Sequence, residues 1–154
     1  MTNYKQPVSV LVVIYTDNLD VLLLERADHP GYWQSVTGSC EPGETLRETA
    51  LREVREETGL DASQYELTDR QLKNIYEIYP RWRHRYSPGI THNTEHVFGL
   101  KLPRPIVVKL SLREHLNFQW LPWQDAAEKV FSPSNREEIL QLGNYNRDHP
   151  GVEK

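Results

Sequence analysis

The sequence predicts an α+β chain, a mixed β-sheet held between helices in an α/β/α sandwich, on three observations. Strand-like apolar segments at residues 8–15, 21–24, 72–79 and 95–102 surround one helical segment at 46–58. Two further helical patterns lie near 123–130 and after Ser134. The 154 residues, 38% of them hydrophobic, suffice for one sizeable core and leave too little for a second. A single domain is therefore expected over residues 1–143. The polar stretch 144–154 lacks an apolar period and is expected to be a mobile tail.

Residues 8–15 form a nearly unbroken β-branched and aliphatic run, and the turn-forming Asp17-Asn18-Leu19-Asp20 separates it from a second run at 21–24. Two adjacent strands in a hairpin, apolar on both faces and buried on both, account for the pattern. Residues 31–39 read as a glycine- and threonine-containing approach to the turn Glu41-Pro42-Gly43. A helix over 46–58 follows. Thr45 and Glu48 have capping-box spacing, and Gly59 supplies the left-handed residue that ends many helices. Strands are expected at 72–79 and 95–102, after which Pro103 and Pro105 break the pattern. An extended segment at 117–121, a short helix at 123–130 and a last helix capped by Ser134 with Glu137 complete the chain.

No run approaches the roughly 18 consecutive apolar residues of a membrane-spanning helix, and the first residues lack the charged-then-apolar order of a secretory signal. A cytoplasmic protein with no membrane partner is expected. The single cysteine, Cys40, cannot form an internal disulfide and is assigned to loop packing. A net charge of −4 argues against a general nucleic-acid binder, which carries a basic surface. Any polyanionic substrate must then be met by local arginines or by metal.

On a helix over 46–58, Ala50, Leu51 and Val54 share one arc, and Glu53, Glu56 and Glu57 fall on a neighbouring arc about 100° wide. The helix buries one stripe on the sheet and offers three carboxylates along its border. Carboxylates at these spacings repel, each like pair costing about 0.3 kcal/mol. A bound dication offsets that. Magnesium suits the site because it takes oxygen ligands, keeps several waters and is shared between carboxylates and substrate phosphates; manganese is a possible substitute. An acidic helix face standing alone is more often simply solvated, so the surrounding residues decide.

Gly38, Glu44, Arg52-Glu53-Val54, Glu56-Glu57 and Gly59-Leu60 follow one order without gap or mismatch. It runs glycine, five residues, glutamate, seven residues, then arginine-glutamate-aliphatic-any-glutamate-glutamate-any-glycine-aliphatic. A chance match at these positions is on the order of one in ten million for such a chain. This is the box of the Nudix hydrolases, and the chain resembles that family. The resemblance implies the Nudix fold and phosphoanhydride hydrolysis by water attack on phosphorus with magnesium present. Glu53, Glu56 and Glu57 would be metal ligands and catalytic groups. Arg52, bidentate and permanently charged, is expected to pair with Glu44 and fix the loop on the helix. Gly38 and Gly43 would supply backbone conformations that other residues reach only at a cost. A metal-bound glutamate is a poor base, so a separate carboxylate is expected to activate the water. Glu114 is the first candidate, as base and further metal ligand, and Glu95 the second.

Outside the box the chain resembles the bacterial dihydroneopterin triphosphate diphosphatases of folate synthesis. The likeness lies in Tyr32-Trp33-Gln34-Ser35-Val36-Thr37-Gly38-Ser39, Arg83-His84-Arg85-Tyr86-Ser87-Pro88-Gly89, Asn93-Thr94-Glu95, Glu114-His115-Leu116 and Ser134-Asn135-Arg136. It implies cleavage of dihydroneopterin triphosphate to the monophosphate and pyrophosphate. Tyr76, Glu77, Ile78 and Tyr79 would present ring edges and backbone groups to a flat pterin. Lys5, Arg26 and the cations of residues 81–85 are available to the triphosphate, Thr37 could donate to a phosphate or ring oxygen, and Ser132 is a further contact. Trp82 and Tyr86 interleave with the basic run, which suits a phosphate-facing loop. Trp33, Trp120 and Trp123 are assigned to the core. A general nucleoside triphosphate pyrophosphohydrolase needs the same helix and differs only in its base pocket. Ligand sensors and RNA-binding modules of this fold typically lose box glutamates, and this chain keeps all of them. A monomer or small homo-oligomer acting on a small-molecule triphosphate is expected.

Overall fold

A computed structural model of the chain describes residues 4–148, with side chains through residue 144. In chain order its elements are β1 (Val8–Thr16), β2 (Asp20–Arg26), β3 (Trp33–Gln34), β4 (Val36–Ser39), α1 (Leu46–Thr58), β5 (Glu66–Glu77), β6 (His92–Leu102), β7 (His115–Pro122), α2 (Trp123–Lys129) and α3 (Pro133–Asp148). β1 is central. It runs parallel to β6 from Val8 opposite Thr94 to Thr16 opposite Leu102. Its other edge pairs antiparallel with β4 over Ser9 to Val12, then meets β2 at Tyr15 opposite Val21. Beyond β6 lies β5, and beyond β2 lie β3 and β7. Strands in both senses make the sheet mixed, as expected.

Alternation along β1 and β2 sends their apolar residues to two cores. Val10, Val12, Ile14, Leu22, Leu24 and Phe98 meet Ala50 and Val54 of α1 on one face. On the other, Val13, Val21 and Leu23 meet Ala126, Ala127, Ile139 and Leu142 of α2 and α3. That accounts for the unbroken apolar runs and produces the expected α/β/α layering. Helix α1 has the predicted bounds, because both its ends are encoded locally. The Thr45 hydroxyl accepts the Glu48 N–H at 3.1 Å, the Glu48 carboxylate accepts the Thr45 N–H at 2.9 Å, and Gly59 is left-handed with φ 78°.

Four expectations differ from what is observed. Residues 31–39 are not plain approach but contain β3 and β4, too short and polar to show a strand period. β5 starts earlier than predicted and ends before Tyr79. It lies at the sheet edge with one hydrogen-bonded partner, and a bulge between Asp69 and Leu72, with Gln71 at φ 57°, breaks its alternation. The cap of α3 is Ser132, whose carbonyl accepts the Arg136 N–H at 3.0 Å and whose hydroxyl lies 3.4 Å from the Asn135 N–H. Ser134 instead turns its hydroxyl to Glu95. Finally, α3 continues past 143 to Asp148, so residues 144–148 are helix rather than tail; the rest of the expected tail lies outside the described residues. Gly143 does not end the helix. A Cβ there would strike the Trp123 ring, so the missing side chain lets α2 lie against α3. Among the described residues no helix is long and apolar enough to cross a membrane.

Candidate active site

A cavity of about 1230 Å³ opens beside α1, passes the residues of β4, and reaches β5, β6 and the first turn of α3. Along α1, residues 53, 56 and 57 reach it from the side of the apolar stripe. Glu53 and Glu57 are 8% and 2% exposed, whereas Glu56 is exposed at the rim. Glu57 is raised well above the usual carboxylate range, first by burial and then by the charge of Glu53. Burial also raises Glu53, and a hydrogen bond from Glu57 opposes that rise. Burial and the Glu53 charge both disfavour the charged form of Glu57. Its Oε1 is buried without a partner, while the Thr37 N–H donates to the same carboxyl. His115 Nε2 stands 3.8 Å from that Oε1, too far for a hydrogen bond. Burial, and then the Arg26 charge, lowers the His115 ring to about 4, so it is neutral near pH 7.

Arg52 organises the approach to α1. Its Nε and Nη2 hold both Glu44 oxygens at 2.6 and 2.9 Å, and Nη2 also donates to the Ser39 carbonyl at 3.0 Å. Nη1 donates to Glu53 at 2.8 Å and to Glu56 at 3.4 Å. The Arg52 bonds, with burial opposing, lower Glu44 to about 2. Gly38 serves a purpose different from the one expected. It has no left-handed backbone; a Cβ there would land on the Glu53 carboxylate, so β4 approaches α1 at this point only because the side chain is absent. Gly43 does take the left-handed region, with φ 84°.

The remaining expected contacts separate into engaged and available groups. Thr37 lines the cavity, but its hydroxyl hydrogen is spent on the Val10 carbonyl at 2.9 Å, so it cannot donate to a substrate oxygen. Arg26 holds Asp28 through Nε and Nη2, both at 2.7 Å, gives Nη1 to Gln34 at 2.9 Å, and lies 4.6 Å over the Trp82 ring. A phosphate would have to compete for it. Glu77 is paired with Arg83 at 2.7 Å. Lys5 and Glu114 line the cavity, and Lys5 feels the charges of both Glu53 and Glu114. Tyr76, Ile78, Tyr79 and Ser132 line it too. The basic run forms a short 3₁₀ helix, Pro80–Arg85, that presents Trp82 and Arg85 to the cavity while Arg83 turns back to the Ile78 carbonyl.

Several lining residues escaped the sequence reading. Phe131 stacks on Tyr32 at 4.4 Å and meets Trp82 edge-on at 6.3 Å; a lone aromatic between two helices carries no periodic signal. Asn93 and Asn135 are each 2% exposed. Asn93 had one available signal, its place two residues before Glu95, the spacing that puts two side chains on one face of a strand. Among the described residues no three carboxylate, imidazole or thiol groups stand ready-gathered as a metal cage. Two buried carboxyls with Glu56 and Glu114 at the rim, all oxygen donors and one of them orphaned, fit a hard dication that keeps its water and is completed by substrate.

A family model described as the NUDIX domain matches residues 5–142. The chain is 49% identical over 142 residues to the dihydroneopterin triphosphate diphosphatase of Escherichia coli (strain K12), covering 90% of this chain and 93% of that one. The Haemophilus influenzae protein of the same name is 44% identical, with 90% and 89% covered. The solved structure of the E. coli dihydroneopterin triphosphate pyrophosphohydrolase matches with a TM-score of 0.84 at 49% identity, over 90% of this chain and 95% of that one. A match that spans nearly all of the described residues, box included, makes this chain a member of the Nudix hydrolase family.

Proposed function

We propose that the chain hydrolyses dihydroneopterin triphosphate to the monophosphate and pyrophosphate, with magnesium held by Glu53, Glu56 and Glu57. One observation carries this reading. A single cavity is lined both by the α1 glutamates and by Tyr79, Trp82 and Phe131, so groups suited to a metal-bound phosphate chain and to a flat ring open on one space. Magnesium, when bound, neutralises charge on the phosphate oxygens and leaving pyrophosphate; manganese would serve in its place. A bound dication would favour the charged form of Glu57 that burial disfavours, and Arg52 would hold the Glu53 carboxylate beside it. Lys5 meets the outer phosphates, and Arg85, held by Asp28 at 3.4 Å, joins it only by giving up that contact. Glu114 takes a proton from the attacking water, a role that suits a rim carboxylate not buried against the ion.

Glu114→Ala should lower kcat about tenfold, since solvent at this exposed position partly replaces the base, with KM changed less than twofold. A raised KM with unchanged kcat would reassign Glu114 to binding. In kcat/KM, dihydroneopterin triphosphate should exceed dATP by at least about tenfold. Product analysis should find pyrophosphate rather than orthophosphate. Parity between the two substrates would favour a general nucleoside triphosphate pyrophosphohydrolase. An RNA-binding role finds little support, because Arg26, Arg81 and Arg85 are stacked against Trp82 and Arg83 is ion-paired, leaving few free cations in the basic run.

A further inference from the structure

The wall of the cavity at the start of β6 is rich in acceptors and short of donors. Asn93 and Glu95 are two apart on the strand and face the same side, opposite Tyr76 and Asn74 of β5. Asn93 spends both amide hydrogens, on Ser9 Oγ at 2.8 Å and the Tyr76 hydroxyl at 3.1 Å, and its Oδ1 is buried without a partner. Glu95, 4% exposed, accepts from Ser134 Oγ at 3.0 Å and Asn74 Nδ2 at 3.4 Å, both at Oε1. Behind it the same Asn74 amide reaches Glu138 at 3.3 Å, and Glu138 Oε1 is orphaned. Neither carboxylate forms an ion pair among the described residues.

A purely structural clamp between β6 and α3 would not need this excess. A glutamine at 95 would accept the same two hydrogen bonds without a buried charge, and an orphaned acceptor costs the desolvation it never recovers. Acceptors left over on a cavity wall are completed by a ligand that brings donors. We propose that Glu95 and Asn93 read the edge of a heterocycle that carries an amino group beside a ring N–H, and so set the ring specificity of the site. That edge is common to 2-amino-4-oxopteridines and guanine and absent from adenine, which offers an acceptor where they offer the N–H. Burial pushes Glu95 up to about 7, and the two donors of such an edge would favour its charged form. Glu95 thereby serves ring binding, and the role of base stays with Glu114. The inference deepens the proposed substrate and rests on that reading for the chemistry of the ring.

Two measurements test it. In the wild-type protein with magnesium, dGTP and dITP, which differ only in the 2-amino group, are compared as competitors of dihydroneopterin triphosphate hydrolysis. The dGTP inhibition constant should be at least about tenfold lower, and equal constants would overturn the proposal. This comparison needs no variant and so stands whatever a substitution does to folding. In Glu95→Gln the amide presents a donor beside an acceptor, the complement of adenine. The ratio of kcat/KM for dihydroneopterin triphosphate over dATP should fall at least about tenfold from its wild-type value. An equal loss on both substrates would mean a structural role and would also overturn it. If wild type prefers dGTP over dITP yet treats dihydroneopterin triphosphate and dATP alike, the edge reading survives and the proposed substrate does not.

Discussion

Glu57→Gln is expected to lower kcat at least a hundredfold and to abolish the rise in thermal midpoint that magnesium gives the wild type. The amide is nearly isosteric, so the side chain keeps its place against Thr37 and Glu53, and the effect isolates charge from shape. Glu57 is 2% exposed, and its burial beside Glu53 disfavours the charged form and raises its pKa well above the usual carboxylate range. The sign of the stability change follows. A carboxyl whose folded pKa exceeds its unfolded value binds more protons when folded, so metal-free wild type loses stability as pH rises from the ordinary glutamate range toward the raised value. Glutamine removes that dependence, and the metal-free variant should melt no lower than wild type near pH 7. Loss of activity would then come without loss of fold. A dication at a hundred times its Kd stabilises the wild type by about 2.7 kcal/mol, and the variant should show almost none of this. A near-normal rate, or an undiminished magnesium shift in the melt, would take Glu57 out of the ligand set.

What could be read in advance was whatever is encoded within a turn or two of chain. The ends of α1 rest on Thr45, Glu48 and Gly59, all adjacent to the helix they delimit, and its three glutamates share a face by spacing alone. The mixed sheet was legible from runs apolar at every position, because only a strand covered on both faces has that pattern. Registers were not. Thr37 looked like a free donor until β4 was placed against β1, where its hydroxyl meets the Val10 carbonyl. Arg26 looked like a free cation, although its partner Asp28 is only two residues away; Gln34 and Trp82, its other partners, come from distant segments. The acceptor wall draws Asn74, Glu95, Ser134 and Glu138 from β5, β6 and α3, so no stretch of sequence contains it. Ser134 illustrates the conflict. Its spacing to Glu137 fits a capping box, yet Pro133 already sits at the first helical position, which moves the cap back to Ser132.

Gly38→Ala should cost as much activity as losing a ligand, about a hundredfold in kcat, although the new methyl group is chemically inert. The added Cβ would coincide with the Glu53 carboxylate, which Arg52 holds at 2.8 Å. β4 cannot retreat easily, since Gly38 is paired with Val10 of the central strand. The flexible end of Glu53 yields instead, swinging out of line with Glu57. A displacement of about 1 Å in a positioned group can cost on the order of a hundredfold, so the rate falls without any change in the acids present. Gly43→Ala provides the contrast. Nothing lies within 4 Å of a Cβ there, but the left-handed backbone with φ 84° would strain any side chain. That variant should lose about 1 kcal/mol of stability while keeping its rate within about threefold of wild type. Urea melts and steady-state rates on both variants separate the two needs for glycine. If Gly38→Ala keeps the wild-type rate, then Glu53 can work from a second position, and its placement by Arg52 is not what makes the site competent.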